Sequence, residues 1–123
     1  MPGAEKTATA QDVCGKQIER ADSELTSLAI RFADGTGLLL LAAGDAAHPR
    51  VSMTVVEAEA LPGATDAVCA VDWGWIAGST ITRATASDGL VKLQLDPAGP
   101  LSISALLYQG KPFLAFQPFK PAR

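Results

Sequence analysis

The chain predicts an all-β fold: a small barrel or a two-sheet sandwich of eight to nine mostly antiparallel strands, built from two pseudo-symmetric four-strand repeats. Three observations carry this. Apolar and polar residues alternate with a period of two, as in Leu28, Ile30 and Phe32 around Ala29 and Arg31, or Val91, Leu93 and Leu95 around Lys92 and Gln94. Turn formers separate the alternating runs, including Asp34-Gly35 and Asp88-Gly89. The whole pattern then recurs 63 residues later.

Aligned without a gap, residues 15–54 and 78–117 share Gly15/Gly78, Ile18/Ile81, Arg20/Arg83 and Ala21/Ala84. Leu38/Leu101, Ala42/Ala105 and Pro49/Pro112 complete seven identities in forty positions. Composition alone would give roughly three. The apolar phase also coincides, which is the stronger signal.

In chain order, residues 1–11 are small and polar and read as a flexible arm, leaving 12–123 as a single domain. Repeat one, 15–54, opens with a strand at 17–22 and a turn at Ser23-Glu24. The strand of Leu28, Ile30 and Phe32 then meets Leu38 to Ala43 through the Asp-Gly turn. A loop over 44–49 leads into a fourth strand over 50–57, rich in Val, Met and Thr. The connector 55–77 contains a loop at 61–66 and an expected extra strand over 68–76. Glu57 to Ala60 favours helix but is too short to stand alone.

Repeat two, 78–117, restates the order with strands at 80–86, 91–95, 101–105 and 113–117. The tail 118–123 holds Pro118 and Pro121, reads as extended over the surface, and is expected to tuck in Phe119.

At 123 residues the chain fits one domain able to bury roughly two-thirds of its unfolded surface. With 48% apolar and 19% charged residues it is a globular composition. The net charge of −3 and the scattered Lys and Arg give no footprint for nucleic acid or an anionic membrane. The N-terminus lacks a basic and apolar leader, and no run reaches the length of a membrane span. A cytoplasmic location without membrane or nucleic-acid partners is the expectation. Cys14 and Cys69 have no CxxC spacing and read as reduced thiols, Cys69 as a small buried hydrophobe.

Candidate site residues follow from local pattern. In Asp72-Trp73-Gly74-Trp75 a strand would put both indoles on one face and Asp72 on the other. Such a pair would wall a pocket for a small apolar ligand or, as packing aromatics usually do, plug the core. Arg20 and Arg83 each lie two residues after a matched isoleucine, so strict alternation sets them on the core face. There they would sit at a rim, pair with Asp72 or Glu19, or bind an anion near the pseudo-twofold axis.

The single histidine, His48, lies three residues after Asp45 but belongs to no catalytic motif. No phosphate loop, carboxylate pair or nucleophile elbow occurs, and no cofactor, metal or catalytic residue is assigned. Leu39 and Leu41 correspond to Ser102 and Ser104 in the second repeat. The first repeat thus has a strand apolar on both faces, whose outer side needs a cover from the chain itself or from a second protomer.

The stretch with Trp75, Gly78 and Ile81-Thr82, followed by a hydrophobic hairpin with Asp-Gly turns, resembles small bacterial β-proteins. Some of those are held to be immunity or inhibitor proteins, which implies a role in capping a partner. The residues themselves point first to a non-enzymatic binding or interaction module, using either the Trp73/Trp75 end as a pocket or the Leu39/Leu41 face as an interface, the latter for a homodimer. The alternative is a small isomerase or lyase with a barrel-end pocket using Asp45, His48 or Asp72.

Overall fold

A computed structural model of the chain describes residues 6–7, 10–24, 26–45, 47–60, 73–87 and 89–117. Among them are nine strands: β1 (Lys6–Thr7), β2 (Ile18–Glu24), β3 (Ser27–Phe32), β4 (Thr36–Gly44), β5 (Pro49–Glu57), β6 (Thr80–Ser87), β7 (Leu90–Asp96), β8 (Gly99–Tyr108) and β9 (Lys111–Gln117). Two antiparallel meanders result. One sheet has the order β1-β5-β4-β3-β2 and the other β6-β7-β8-β9. They pack face to face as a sandwich, with β4 over β9 and β5 over β8.

The two sheets carry the same registers. Ile18 pairs with Phe32 as Ile81 pairs with Leu95, Leu28 with Leu40 as Val91 with Ile103, and Leu41 with Ser52 as Ser104 with Ala115. Both first strands are bulged at equivalent places, between Ile18 and Arg20 and between Ile81 and Arg83. The offset of 63 therefore holds residue by residue in three dimensions.

The copies meet at a short antiparallel crossing around a bridge between Gln17 and Thr80, which are themselves equivalent. Four backbone hydrogen bonds surround it as two symmetric pairs. Gly15 N–H donates to the Ile81 carbonyl at 2.7 Å and Gly78 N–H to that of Ile18 at 2.8 Å. Ile18 N–H donates to Ser79 at 2.8 Å and Ile81 N–H to Lys16 at 3.0 Å. The pseudo-twofold axis thus passes beside Gln17 and Thr80. Gly15 and Gly78 enter the crossing with φ of 87° and 86°. An added Cβ would meet nothing within 4 Å at either, so glycine is required by backbone conformation and not by space.

The core lies between the sheets and alternates as the period-2 pattern demands. Leu28, Ile30, Phe32, Leu38 and Leu40 face Leu93, Leu95, Leu101 and Ile103, all essentially fully buried. Each contributes about 1.5–3 kcal/mol relative to exposure.

Two segments differ from the expected chain course. The strand expected over 68–76 does not run through its second half: residues 73–78 form a succession of turns, and residues 61–72 lie outside the described residues. Ile76 N–H donates to Trp73 and Ala77 N–H to Gly74, the i→i+3 bonding of a 3-10 turn. Trp73 and Ile76 are buried on one side of that turn, a spacing of three where a strand would show two.

Its counterpart 63 residues earlier is the 3-10 turn Ala10–Val13, with Val13 buried as Ile76 is. Lys16 N–H returns to the Val13 carbonyl as Ser79 N–H returns to Ile76. The equivalence therefore begins upstream of Gly15 and Gly78. Within 1–11, Lys6 and Thr7 pair with Val55 and Thr54 on β5.

Candidate functional site

Trp73 closes the seam between the sheets. Its indole Nε1–H donates to Ser23 Oγ on β2 at 2.9 Å, and its ring meets Phe116 on β9 edge to face, centroids 5.0 Å apart and planes at 82°. Only 5% of Trp73 remains exposed. Trp75 is half-buried and packs against the same core, while Gly74 between them is exposed. The expectation of two indoles on one strand face is thereby corrected, because the local backbone is a turn. Trp73 plugs the core with its polar atom satisfied. Asp72 lies outside the described residues.

The arginines also depart from the alternation. The bulge after Ile18 inserts one residue, so Arg20 pairs with Arg31 and points to solvent, and the bulge after Ile81 does the same for Arg83. Arg20 Nη2 sits 3.5 Å from Asp22, whereas Glu19 pairs with Arg31 at 2.8 Å. Glu19 is therefore not the partner of Arg20. Among the described residues no carboxylate pairs with Arg83. Two consecutive polar residues after each isoleucine, Glu19-Arg20 and Thr82-Arg83, were the sequence signal of the phase change.

The strongest electrostatic feature is a turn. Lys16 Nζ pairs with Asp34 Oδ2, donates to Thr36 Oγ1 at 3.1 Å and lies 5.5 Å from the Phe32 ring centroid. Asp34 Oδ1 accepts from Thr36 N–H at 2.9 Å and from the Thr36 hydroxyl. The Lys16 hydrogen bond first, then those of Thr36, hold the Asp34 carboxyl down at about 2. In the other copy the position of Lys16 is Ser79, nearly fully buried, whose hydroxyl accepts from Ala98 N–H at 3.2 Å. Both residues tie the first strand to the hairpin turn, one by exposed charge and one by a buried neutral bond.

His48 is exposed, and Asp45 spends Oδ1 on the backbone N–H groups of Ala47 and His48, 3.0 Å each, as an Asx turn. Cys14 is exposed, and Cys69 lies outside the described residues. Among the described residues no cluster of three His, Cys, Asp or Glu side chains has metal-holding geometry. No helix of the described residues is long and apolar enough to cross a membrane.

Leu39 and Leu41 do share the outer face of the first sheet. Leu39 is half-buried against Ala29 and Thr54 in register, and Leu41 is 38% exposed between Ser27 and Ser52. Sequence reasoning missed a second apolar surface. Leu106 is 48% and Leu107 45% exposed at the end of β8, paired with Phe113 and Pro112 of β9. The signal was present in the same alignment, where these leucines stand opposite Ala43 and Gly44. Compared with known proteins, the chain matches no family model, no curated protein and no solved structure.

Proposed function

We propose that the protein is a non-enzymatic interaction module that self-associates through the outer face of its first sheet at Leu39 and Leu41. The observation that carries this is Leu41, a large apolar side chain exposed in the middle of a paired strand whose structural equivalent is Ser104. The second sheet makes the same strand with Ser102 and Ser104, so the fold does not need leucines there. A large apolar side chain exposed where the other copy has serine is a common mark of an interface.

The commitments of the chemically capable groups support the same reading. Asp34 is held by Lys16 and Thr36, Asp45 by its own loop, and Trp73 by Ser23. A twofold contact would use Leu41 of both protomers, so one substitution acts twice. Light scattering across concentration tests this. The wild type should associate, and Leu41→Ser should weaken association at least tenfold, roughly 1.4 kcal/mol or more. A wild type that stays monomeric at the highest concentration would reject the interface.

A further inference from the structure

We propose that the end of the β8–β9 hairpin is a lipid-contacting tip, with Leu106 and Leu107 entering the interfacial layer of a bilayer and Lys111 at the level of its phosphates. The tip turns at Gln109 and Gly110, whose φ values of 52° and 78° make a tight two-residue hairpin. Leu106 continues the outward set of Ser102 and Ser104, while Leu107 continues the inward set of Ile103 and Ala105 past the edge of the core. Neighbouring strand residues point to opposite faces, so the exposed apolar surface lies on both sides of the hairpin.

The other half of the molecule shows that the fold does not require this. At the equivalent places the first copy has Ala43 and Gly44, followed by the Asp45 turn and the exposed Arg50 in place of Phe113. Asp45 and His48 exchange backbone hydrogen bonds at 3.4 and 3.2 Å in the place where the second copy pairs Tyr108 with Lys111, so the two hairpins have the same length. The second tip differs in being the more apolar.

Three features favour a bilayer as the occupant. A flat protein partner covers one face of a hairpin, whereas lipid surrounds both. Interfacial insertion grows with whatever apolar area is offered, and Leu106 and Leu107 offer theirs together at one protruding end. From Pro97 to Gln117 the single charged side chain is Lys111, so the hairpin itself carries one positive charge and no carboxylate although the chain carries −3. That matches an anionic headgroup layer.

Flotation with vesicles of phosphatidylcholine, alone or mixed with phosphatidylglycerol, tests the proposal. The wild type should float with both, more with the anionic mixture. Leu106→Ala with Leu107→Ala should lower the bound fraction about tenfold at an unchanged melting temperature. Leu106→Glu, at an outward position that cannot disturb the core, should abolish binding on its own. Leu41→Ser, on the other sheet, should float like the wild type, which keeps this surface separable from the self-association face. A wild type that stays unbound with both vesicles, or leucine variants that bind as it does, would overturn the proposal.

Discussion

At equivalent places in the two 3-10 turns, the first half of the molecule has Ala10 and the second has Trp73. The surroundings differ to match. The strand residue that accepts from the indole is Ser23 where the other half has Ala86, and the ring beside it is Phe116 where the other half has Met53. One seam is closed by a large aromatic with its N–H satisfied, the other by a small turn anchored on Val13. The same backbone thus supports two different packings. Equivalent backbone fixes where a side chain stands and leaves open whether it packs, pairs or faces solvent.

The largest effect should come from breaking the aromatic seam. Trp73→Ala removes a buried ring and is expected to destabilise by about 3–5 kcal/mol in urea or thermal unfolding. Ser23→Ala leaves the buried indole N–H without its acceptor and should lose about 1–3 kcal/mol. The reciprocal change, Ala86→Ser at an exposed position, should stay within about 0.5 kcal/mol. Equal effects at Ser23 and Ala86 would erase the contrast between the seams.

The crossing at Gln17 and Thr80 should instead behave symmetrically. Gly15→Ala and Gly78→Ala each force an L-residue to positive φ and should each lose about 1–2 kcal/mol. Matched losses would sharpen the twofold account. A neutral change at one glycine and a large loss at the other would break it.

Much of this was legible in the residues. Period-2 alternation, Asp-Gly turns and the common apolar phase of the two copies specify an all-β meander, and the ladders keep the 63-residue offset pair by pair. Serines opposite Leu39 and Leu41 also marked the outer face that the first sheet exposes at Leu41. The bulges were not legible from alternation, because one inserted residue reverses the phase of everything after it, and so Arg20 and Arg83 were expected on the wrong face. Trp73 was placed on a strand because its turn repeats at three residues and has no identities with Ala10–Val13 to extend the alignment. The Leu106 and Leu107 tip was marked in the alignment by Ala43 and Gly44, but an apolar pair at a strand end fits a core as well as an exposed tip, and burial alone separates the two.

The smallest effect belongs to the two turn ties. Asp34 has a folded pKa of about 2 against an ordinary 3.8, so its pairing stabilises the fold above that ordinary value and is lost as pH falls through about 2. Its side chain is 49% exposed, and solvent screening limits the contribution to about 1 kcal/mol or less. Asp34→Asn should flatten this part of the acid limb of a stability profile. Ser79→Ala, which removes a neutral bond, should lower stability by the same amount at every pH.

The same comparison between halves underlies the proposed interface, where Leu41 occupies the position that Ser104 holds in the other copy. Sedimentation velocity on the wild type, Leu41→Ser and Ser104→Leu tests it most directly. The account predicts a concentration-dependent dimer for the wild type, a monomer for Leu41→Ser, and undiminished association for Ser104→Leu. A Leu41→Ser protein that sediments as the wild type does, or a wild type that is monomeric throughout, would contradict it.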